Sequence, residues 1–394
     1  MPNPQSLTDV KRLADAVRAN VGRVIVGKEA VIDQLLVALL SDGHVLLEDM
    51  PGMGKTVLAK SLARSLGAAF QRVQGTPDLL PTDVTGVSYY DQKRSDFVFR
   101  QGPIFAQVLL FDEINRATPR TQSALLEAMA ERQVTVERES LPLPRPFLVM
   151  ATQNPVEMDG TFPLPEAQLD RFLLRLRVGY PSEGEELAIL HRFKTDEPLA
   201  DLAAVASAED LIAQQQLIRE AQWQPDVEKY LLAIVRATRE HPAVEMGASP
   251  RATLALYRAC QALAAIYGRA YVEPDDVKRL AQSVLAHRLI LTTRARLTGQ
   301  TGDSVIAAIL ATMPTPVENI ALSAHGAGAP PQSQPQLQPA MPAPVGQPAP
   351  MAPYPAPYPG AYPPPLPYPT QPVPQGLPGA NGSQGPNGPQ TQRR

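Results

Sequence analysis

Cysteine and long apolar runs are nearly absent from this 394-residue chain. Its single cysteine, Cys260, excludes an intramolecular disulfide and a cysteine-based zinc site, and it suits a reducing compartment. No run of about 18 apolar residues is present, so no membrane-spanning helix is expected. The polar segment 1–20 also lacks the pattern of a signal peptide. The sequence predicts a soluble, cytoplasmic protein in which Cys260 fills space in a helical core.

Charged and large aliphatic residues are scarce in the last part of the chain. Of the 43 prolines, 22 lie from Pro330 onward, and this stretch has no Asp, Glu or Lys. It cannot bury enough apolar surface to offset its chain entropy, and it has no collagen repeat. We therefore predict a disordered, Pro-rich C-terminal tail over residues 321–394. Its Tyr-Pro segments between 354 and 369 have the extended form that aromatic-lined grooves bind. A tail that only keeps the protein soluble would explain these segments equally well.

The remainder of the chain carries a small negative charge. Apart from the two terminal arginines, the chain has 34 Lys and Arg against 39 Asp and Glu, a net charge of −5. Proteins that bind nucleic acid electrostatically present a basic surface. The negative net charge argues against a nucleic-acid partner. Nucleic acid could then be bound only through a local basic loop.

The pattern of apolar residues changes near residue 181. Before it, three short apolar runs that end in polar residues predict buried strands of a parallel sheet, at His44–Glu48, Val108–Phe111 and Phe147–Met150. Helical periodicity accompanies them, over Leu7–Asn20, Val31–Leu40 and Leu58–Leu66. After residue 181 only helical patterns occur, with the N-cap candidates Ser182, Ser249 and Asp275. We predict an α/β domain over residues 1–180 and an all-helical domain over 181–320.

A glycine-rich turn follows the first predicted strand and opens a helix, at Pro51-Gly52-Met53-Gly54-Lys55-Thr56. Glycines let backbone N–H groups converge on a polyphosphate, the lysine meets the β- and γ-phosphates, and the threonine hydroxyl reaches Mg²⁺. The sequence therefore predicts an ATP site of the P-loop type, extending to Val57. Asp49 stands where the motif has its leading glycine. Since Asp tolerates left-handed backbone, we expect weakened nucleotide affinity at most.

Polar residues end the second and third predicted strands. We expect Asp112 to hold Mg²⁺ through its water or hydroxyl shell, and Glu113 to orient and polarise the water that attacks the γ-phosphate. Such an acid pair also occurs as a helix N-cap at a solvated sheet edge, but the upstream P-loop favours the catalytic interpretation. Asn154 adds a neutral polar side chain at the same edge, although an asparagine before proline is also a common turn former.

These motifs together resemble the MoxR family of AAA+ ATPases. The resemblance covers roughly residues 7–315, and it is specific because five motifs occur in the family's order and spacing, at 52–56, 110–117, 151–155, 164–172 and 247–252. It implies an α/β fold of the AAA+ P-loop NTPase class. In that fold a parallel-sheet αβα core is followed by an all-helical lid.

The resemblance also implies roles for individual residues. Asn154 matches sensor 1, which helps to position the hydrolytic water. Arg171 matches the arginine finger that reaches the γ-phosphate of the neighbouring subunit, and Arg251 matches sensor 2, which reaches back from the lid of the same subunit. Val26 and Gly27 match the contact with adenine. A site shared in this way implies a ring, expected to be a hexamer, with ATP and Mg²⁺ as cofactors.

Two hairpins complete the resemblance. The hairpin over 87–100 is similar to the helix-2 insert of the MoxR and magnesium chelatase branches, and segment 134–141 is similar to the pre-sensor 1 hairpin. Such loops face the substrate, so Lys93 and Arg94 could touch an acidic partner, although a solvated turn explains them as well. The implied function is ATP-driven remodelling of a client complex, often with von Willebrand factor A-domain partners. A nucleotide-gated binding scaffold is the alternative, and a DNA-associated motor is disfavoured by the charge.

Overall fold

The computed structural model describes residues 4–136, 139–155, 160–194 and 197–316. These described residues belong to one compact unit. The predicted disordered tail, 321–394, lies outside the described residues. Within the described ranges, no helix is long and apolar enough to cross a membrane.

The described part of the chain alternates strands and helices in its first half and is mainly helical in its second. In chain order the strands are β1 Val45–Glu48, β2 Phe70–Gln74, β3 Gly86–Asp91, β4 Asp96–Gln101, β5 Val108–Asp112, β6 Gln133–Val136, β7 Glu139–Pro142, β8 Leu148–Gln153, β9 Leu174–Leu176, β10 Val244–Met246 and β11 Ile290–Leu291. The helices are α1 Pro4–Gly22, α2 Glu29–Leu40, α3 Lys55–Ser65, α4 Pro81–Thr85, α5 Pro119–Glu131, α6 Glu166–Leu169, α7 Glu183–Arg192, α8 Ala208–Leu217, α9 Pro225–Glu240, α10 Pro250–Ile266, α11 Pro274–Leu285, α12 Thr293–Leu297 and α13 Gly302–Thr312.

Five strands form a parallel sheet in the order β2-β5-β8-β1-β9. The three predicted strands are confirmed as its three central members, β5, β8 and β1. The edge strands β2 and β9 were not predicted. In β2 only Val73 is buried, and β9 is three residues long, so neither carries the continuous apolar run of a strand covered on both faces.

Successive residues of the central strands pack on opposite faces of the sheet. Leu46, Phe111 and Ala151 join one apolar cluster with Leu125 of α5. Leu47, Leu110 and Met150 join a second cluster, which continues through α1, α2, α3 and the lid helices. Burying such a side chain contributes ~1.5 to 3 kcal/mol. Because the second cluster is continuous, the lid packs on the same side of the sheet as the P-loop helix.

The lid helices are confirmed, with two corrections. Ser182 and Ser249 cap α7 and α10 as expected. Asp275 is not an N-cap, because α11 begins at Pro274 and Glu273 is the cap, with Asp276 bonded back to its backbone. The lid is also not purely helical, since β10 and β11 pair antiparallel. These strands have three and two residues, too few to give a pattern in the sequence.

Candidate nucleotide-binding site

The P-loop connects the end of β1 to the start of α3. Gly52 and Gly54 have φ values of +85° and +77°, which residues with a Cβ rarely adopt. Gly54 is also the N-cap of α3, whose first residue is Lys55. The turn therefore needs glycine for its backbone conformation, and it directs the N–H groups of the helix N-terminus into the space in front of the sheet.

Asp49 does not use the left-handed backbone that the sequence led us to expect. It is absent from the described residues with positive φ. Its buried carboxylate accepts hydrogen bonds from the backbone N–H groups of Val178, at 2.6 Å, and Gly179, at 3.1 Å. Asp49 therefore ties the start of the P-loop to the chain that leaves β9, and this contact is the physical reason for an acid at this position.

A polar cavity of about 400 Å³ lies in front of the carboxyl ends of the strands. It brings together the residues predicted for phosphate, metal and water, namely Pro51, Gly52, Gly54, Lys55, Thr56, Val57, Asp112, Glu113 and Asn154. The Lys55 ammonium donates to the carbonyls of Asp49 and Met50, at 2.6 and 3.2 Å. Burial lowers the pKa of Lys55, while the nearby acids, Asp49 first, oppose this shift.

Thr56 and Asp112 offer oxygen ligands on the same cavity, which suits Mg²⁺. Within the described residues, no group of three or more His, Cys, Asp or Glu side chains could hold a metal ion. A magnesium ion here would therefore take its remaining ligands from phosphate oxygens and water, as nucleotide-bound magnesium usually does. The donor set fits this cofactor.

Both acids of the site are held by hydrogen bonds. Asp112 accepts from the Thr152 hydroxyl at 2.6 Å and from the Arg72 guanidinium at 2.7 Å. Glu113 accepts from Arg116 at 3.0 Å, and its backbone N–H donates to the Thr152 hydroxyl at 2.8 Å. Thr152 thus connects the two acids.

Arg72 and Thr152 line this cavity but were not predicted from the sequence. Arg72 lies on the unpredicted edge strand β2, and its guanidinium also donates to Gln74 at 2.9 Å. Thr152 belongs to the motif at 151–155, so its place near the end of a strand was the available signal. Nothing in the spacing indicated Arg72.

The backbone of Glu113 is left-handed, with φ at +55°, which is uncommon for a residue other than glycine. Its carbonyl oxygen lies where a side chain on Gly75 would be, so only glycine fits at the end of β2. The Gly75 N–H donates to the Asp112 carbonyl at 2.7 Å. This close approach fixes the direction in which the acid pair leaves the sheet.

An apolar cavity of about 230 Å³ adjoins the P-loop on its other side. Its lining includes the predicted residues Val26, Met53 and Val57, together with Ile189 and Phe193 of the α7 region. Gly27 is not among the lining residues. It has φ at +66°, and a Cβ there would collide with the Glu185 carboxylate. The cavity is mostly apolar and borders the P-loop, as a site for a nucleotide base would, and Gly27 shapes the turn beside it.

The two predicted arginines lie away from both cavities. Arg171 donates to the Leu126 carbonyl at 2.8 Å, and Arg251, 64% exposed, pairs with Asp170 at 3.7 Å. Asp170 also accepts from the buried Arg288 at 2.7 Å. The lid therefore does not bring Arg251 back to the phosphate cavity of its own chain.

The position of these arginines follows from the sheet. Asp170 and Arg171 precede β9, whose first residue pairs with Val45, the first residue of β1. They lie on the amino-terminal side of the strands, whereas Lys55 follows their carboxyl ends. Four residues of strand separate the two sides by about 13 Å.

The two predicted hairpins are present as β3–β4 and β6–β7. Tyr89, Tyr90 and Phe97 of the first are exposed, and the rings of Tyr90 and Phe97 meet edge to face with centroids 5.4 Å apart. Arg94 pairs with Asp91 of the same turn at 3.7 Å, which matches the solvated-turn interpretation of this arginine.

Known proteins share these features along most of the chain. A family model of ATPases associated with various cellular activities (AAA) matches residues 44–174, and an AAA lid domain model matches residues 236–309. An uncharacterized protein, YeaC of Bacillus subtilis, is 47% identical over 80% of this chain and 98% of its own length. Chaperone MoxR1 of Mycobacterium tuberculosis is 43% identical over 80% of this chain and 85% of its own length.

A solved structure agrees with these matches. The crystal structure of a putative ATPase from Cytophaga hutchinsonii superposes with a TM-score of 0.74, at 37% identity, over 79% of this chain and 98% of that one. The fold, the P-loop, the acid pair and the lid thus coincide with the sequence relationships. The chain belongs to the MoxR family of AAA+ ATPases.

Proposed function

We propose that the chain hydrolyses ATP with Mg²⁺ as a ring of identical subunits, expected to be a hexamer, and uses the hydrolysis to remodel or assemble a client protein complex. The single observation that carries the proposal is the division of its polar residues between two sides of one sheet. Lys55, Asp112 and Glu113 share a cavity on one side. Arg171 and Arg251 lie on the other side.

Within the cavity, each side chain has a distinct task. Lys55 and the P-loop N–H groups bind the β- and γ-phosphates, while Thr56 and Asp112 supply ligands for Mg²⁺. One Glu113 oxygen accepts from Arg116, which leaves the other to accept a hydrogen bond from the attacking water. Asn154 positions the same water. Mg²⁺, when bound, neutralises phosphate charge during the transfer.

An arginine for the γ-phosphate has to come from another subunit in this proposal. Arg171 cannot cross the ~13 Å of strand to the cavity of its own chain. Arg251 lies beside the same Asp170, so we assign it, with Arg171, to the site of the neighbouring subunit. Two guanidinium groups would then meet the charge that develops on the γ-phosphoryl oxygens.

The client is proposed by its class. The relative called Chaperone MoxR1 supports a chaperone-like role. The exposed aromatic side chains Tyr89, Tyr90 and Phe97 give the β3–β4 hairpin a surface for protein contact. A von Willebrand factor A-domain protein is the partner that we propose, and we expect this chain to be cytoplasmic because its single cysteine suits a reducing compartment.

The alternative is a scaffold in which bound ATP switches partner affinity and turnover is incidental. Glu113→Gln distinguishes the two, because it removes the base and keeps the shape of the site. We expect a loss of ATP turnover of about 10²-fold or more with nucleotide affinity retained. The exposed Glu131→Gln of α5 is the matched control and should leave turnover unchanged.

The same variant identifies the client. A pull-down with Glu113→Gln and ATP should retain client that the ADP-loaded protein releases. The captured client is then incubated with wild-type or variant rings, and its change of conformation or assembly is measured. If the Glu113→Gln ring acts on the client as well as the wild type does, the remodelling proposal is wrong and the scaffold replaces it.

A further inference from the structure

A second polar cavity lies on the amino-terminal side of the sheet. Its volume is about 540 Å³, and its walls come from the end of α2, the segment before β8, and helices α8 and α10. It shares no lining residue with the two cavities of the nucleotide site. We call it the arginine cavity, because Arg145, Arg219 and Arg258 line it.

The charge of the arginine cavity is unbalanced. Its three arginines are exposed, and none forms an ion pair with a carboxylate of the described residues. The one acid in the lining, Asp42, pairs with a further arginine, Arg132, at 3.1 Å. Three positive side chains therefore remain uncompensated on one concave surface of a protein whose net charge is −3.

A side chain of the cavity wall holds the backbone around Arg219 in place. Gln261, in the lining, donates to the carbonyls of Arg219 and Ala221, at 3.3 and 2.9 Å. The backbone that carries Arg219 is thereby fixed.

The positive charge of Arg145 also affects the pKa of a nearby arginine, Arg132. Burial is the main cause of a lowered pKa at Arg132, Asp42 opposes the shift, and the charge of Arg145 adds to it. Arg145 thus adds positive potential at Arg132, the partner of the lining residue Asp42.

We propose that the arginine cavity binds a compact anion that carries at least two phosphoryl groups. Guanidinium groups bind phosphate and carboxylate oxygens bidentately, but a phosphoryl ester concentrates a charge of about −1.5 to −2 on one group. Two such groups balance three arginines within ~540 Å³, whereas carboxylates would need three. A volume of this size also fits one small molecule. The proposal is independent of ATP hydrolysis, because it uses none of the residues of that site.

Calorimetric titration with sodium tripolyphosphate tests the proposal. The Lys55→Ala chain serves as the background, so that the P-loop does not compete, and wild-type protein saturated with ADP is titrated in parallel. We expect one tripolyphosphate per chain in both. Adding Arg145→Gln or Arg258→Gln should weaken binding about tenfold or more, because each removes hydrogen bonds between charged groups.

Arg236→Gln is the matched control, since Arg236 is an exposed arginine of α9 outside the cavity and without an ion pair in the described structure. Circular dichroism and thermal unfolding check that each variant folds. Absence of binding to the Lys55→Ala chain, or an equal loss in Arg236→Gln, would overturn the proposal. If a hexaglutamate peptide binds more tightly than tripolyphosphate, the cavity docks an acidic protein segment and the proposed ligand class is wrong.

Discussion

The two sides of the central sheet differ in how their polar groups are supplied. At the carboxyl ends of the strands, one chain brings a lysine, a threonine, two acids and an asparagine to a single cavity. At the amino ends, Arg171 and Arg251 bond to Leu126 and Asp170, and three arginines line the arginine cavity with no ion pair to any described residue. One side is built to bind a ligand within the chain. The other side carries the arginines that we propose to act on partners outside the chain.

This difference has a simple origin. Parallel strands all leave the sheet on the same side, so residues that follow different strands converge there without any further contact. Groups on the amino side are placed by helices and loops that return from elsewhere. Their positions depend on packing between distant segments, and we propose that their partners include other molecules.

The largest effect that would test this comparison comes from Arg171→Ala. Loss of an arginine finger should reduce ATP turnover about 10³-fold, while nucleotide binding to the intact cavity stays the same. Turnover is measured by phosphate release, with Arg236→Ala as the control.

Mixed rings show which subunit Arg171 serves. Arg171→Ala and Lys55→Ala chains are each inactive by this account, because one lacks the finger and the other lacks the phosphate site. Mixing them should restore part of the activity, since some neighbouring pairs then combine an intact finger with an intact site. If no activity returns in mixed rings, Arg171 acts within its own chain.

A smaller effect concerns His44 on the amino side. It precedes β1, and its ring accepts from the Val149 N–H at 3.0 Å and contacts the Met129 carbonyl at 3.2 Å. Burial, with a contribution from Arg132, lowers its pKa from 6.5 to about 3. In the unfolded chain His44 is therefore protonated as the pH falls through about 6.5, whereas in the folded chain it stays neutral. The folded state thus loses stability relative to the unfolded state as the pH falls below 6.5. Burial of His287 acts in the same direction.

We expect the buried His44 to lower the free energy of unfolding by roughly 2 to 3 kcal/mol as the pH is reduced from about 7 to 4.5. Urea unfolding at several pH values measures this. His44→Gln should be less stable at neutral pH but flatter in its pH dependence. The exposed His191→Gln should keep the slope of the wild type, and an unchanged slope in His44→Gln would contradict the prediction.

On the carboxyl side, the Arg72 guanidinium donates a hydrogen bond to one carboxylate oxygen of Asp112, the predicted magnesium ligand. The Arg72 side chain is 47% exposed, so its pair with Asp112 is worth less than about 1 kcal/mol. Arg72→Gln should therefore raise the Mg²⁺ affinity about two- to fivefold. The magnesium dependence of fluorescent ADP binding reports this directly. A weaker Mg²⁺ affinity in Arg72→Gln would show that the arginine assists the metal site.

The smallest expected effect is that of removing the tail. A chain truncated after Leu322 should keep its ATPase activity, since every residue assigned to the site precedes it. Full-length and truncated proteins are compared at equal chain concentration. Loss of turnover would show that the predicted boundary near residue 320 is misplaced.

The sequence predicted the carboxyl side of the sheet well, because its residues sit in contiguous motifs at strand ends. Lys55 and Asp112 follow apolar runs that no surface segment would carry. Arg72 was missed because β2 is an edge strand with one buried residue. The role of Asp49 was missed because its partners, at Val178 and Gly179, are about 130 residues away in the chain. Contacts between distant segments leave no local pattern.

Asp170 connects the lid to Arg171, its neighbour in the chain. It is held by Arg288, which follows α11, and by Arg251 at the start of α10, while Arg171 is adjacent to it. A rotation of the lid would pull on Asp170 and so displace Arg171, which we propose for the site of the next subunit. In the proposed ring, these contacts of Asp170 would couple neighbouring subunits. The state of one lid would determine when the adjacent site can hydrolyse ATP, and hydrolysis would proceed around the ring in order.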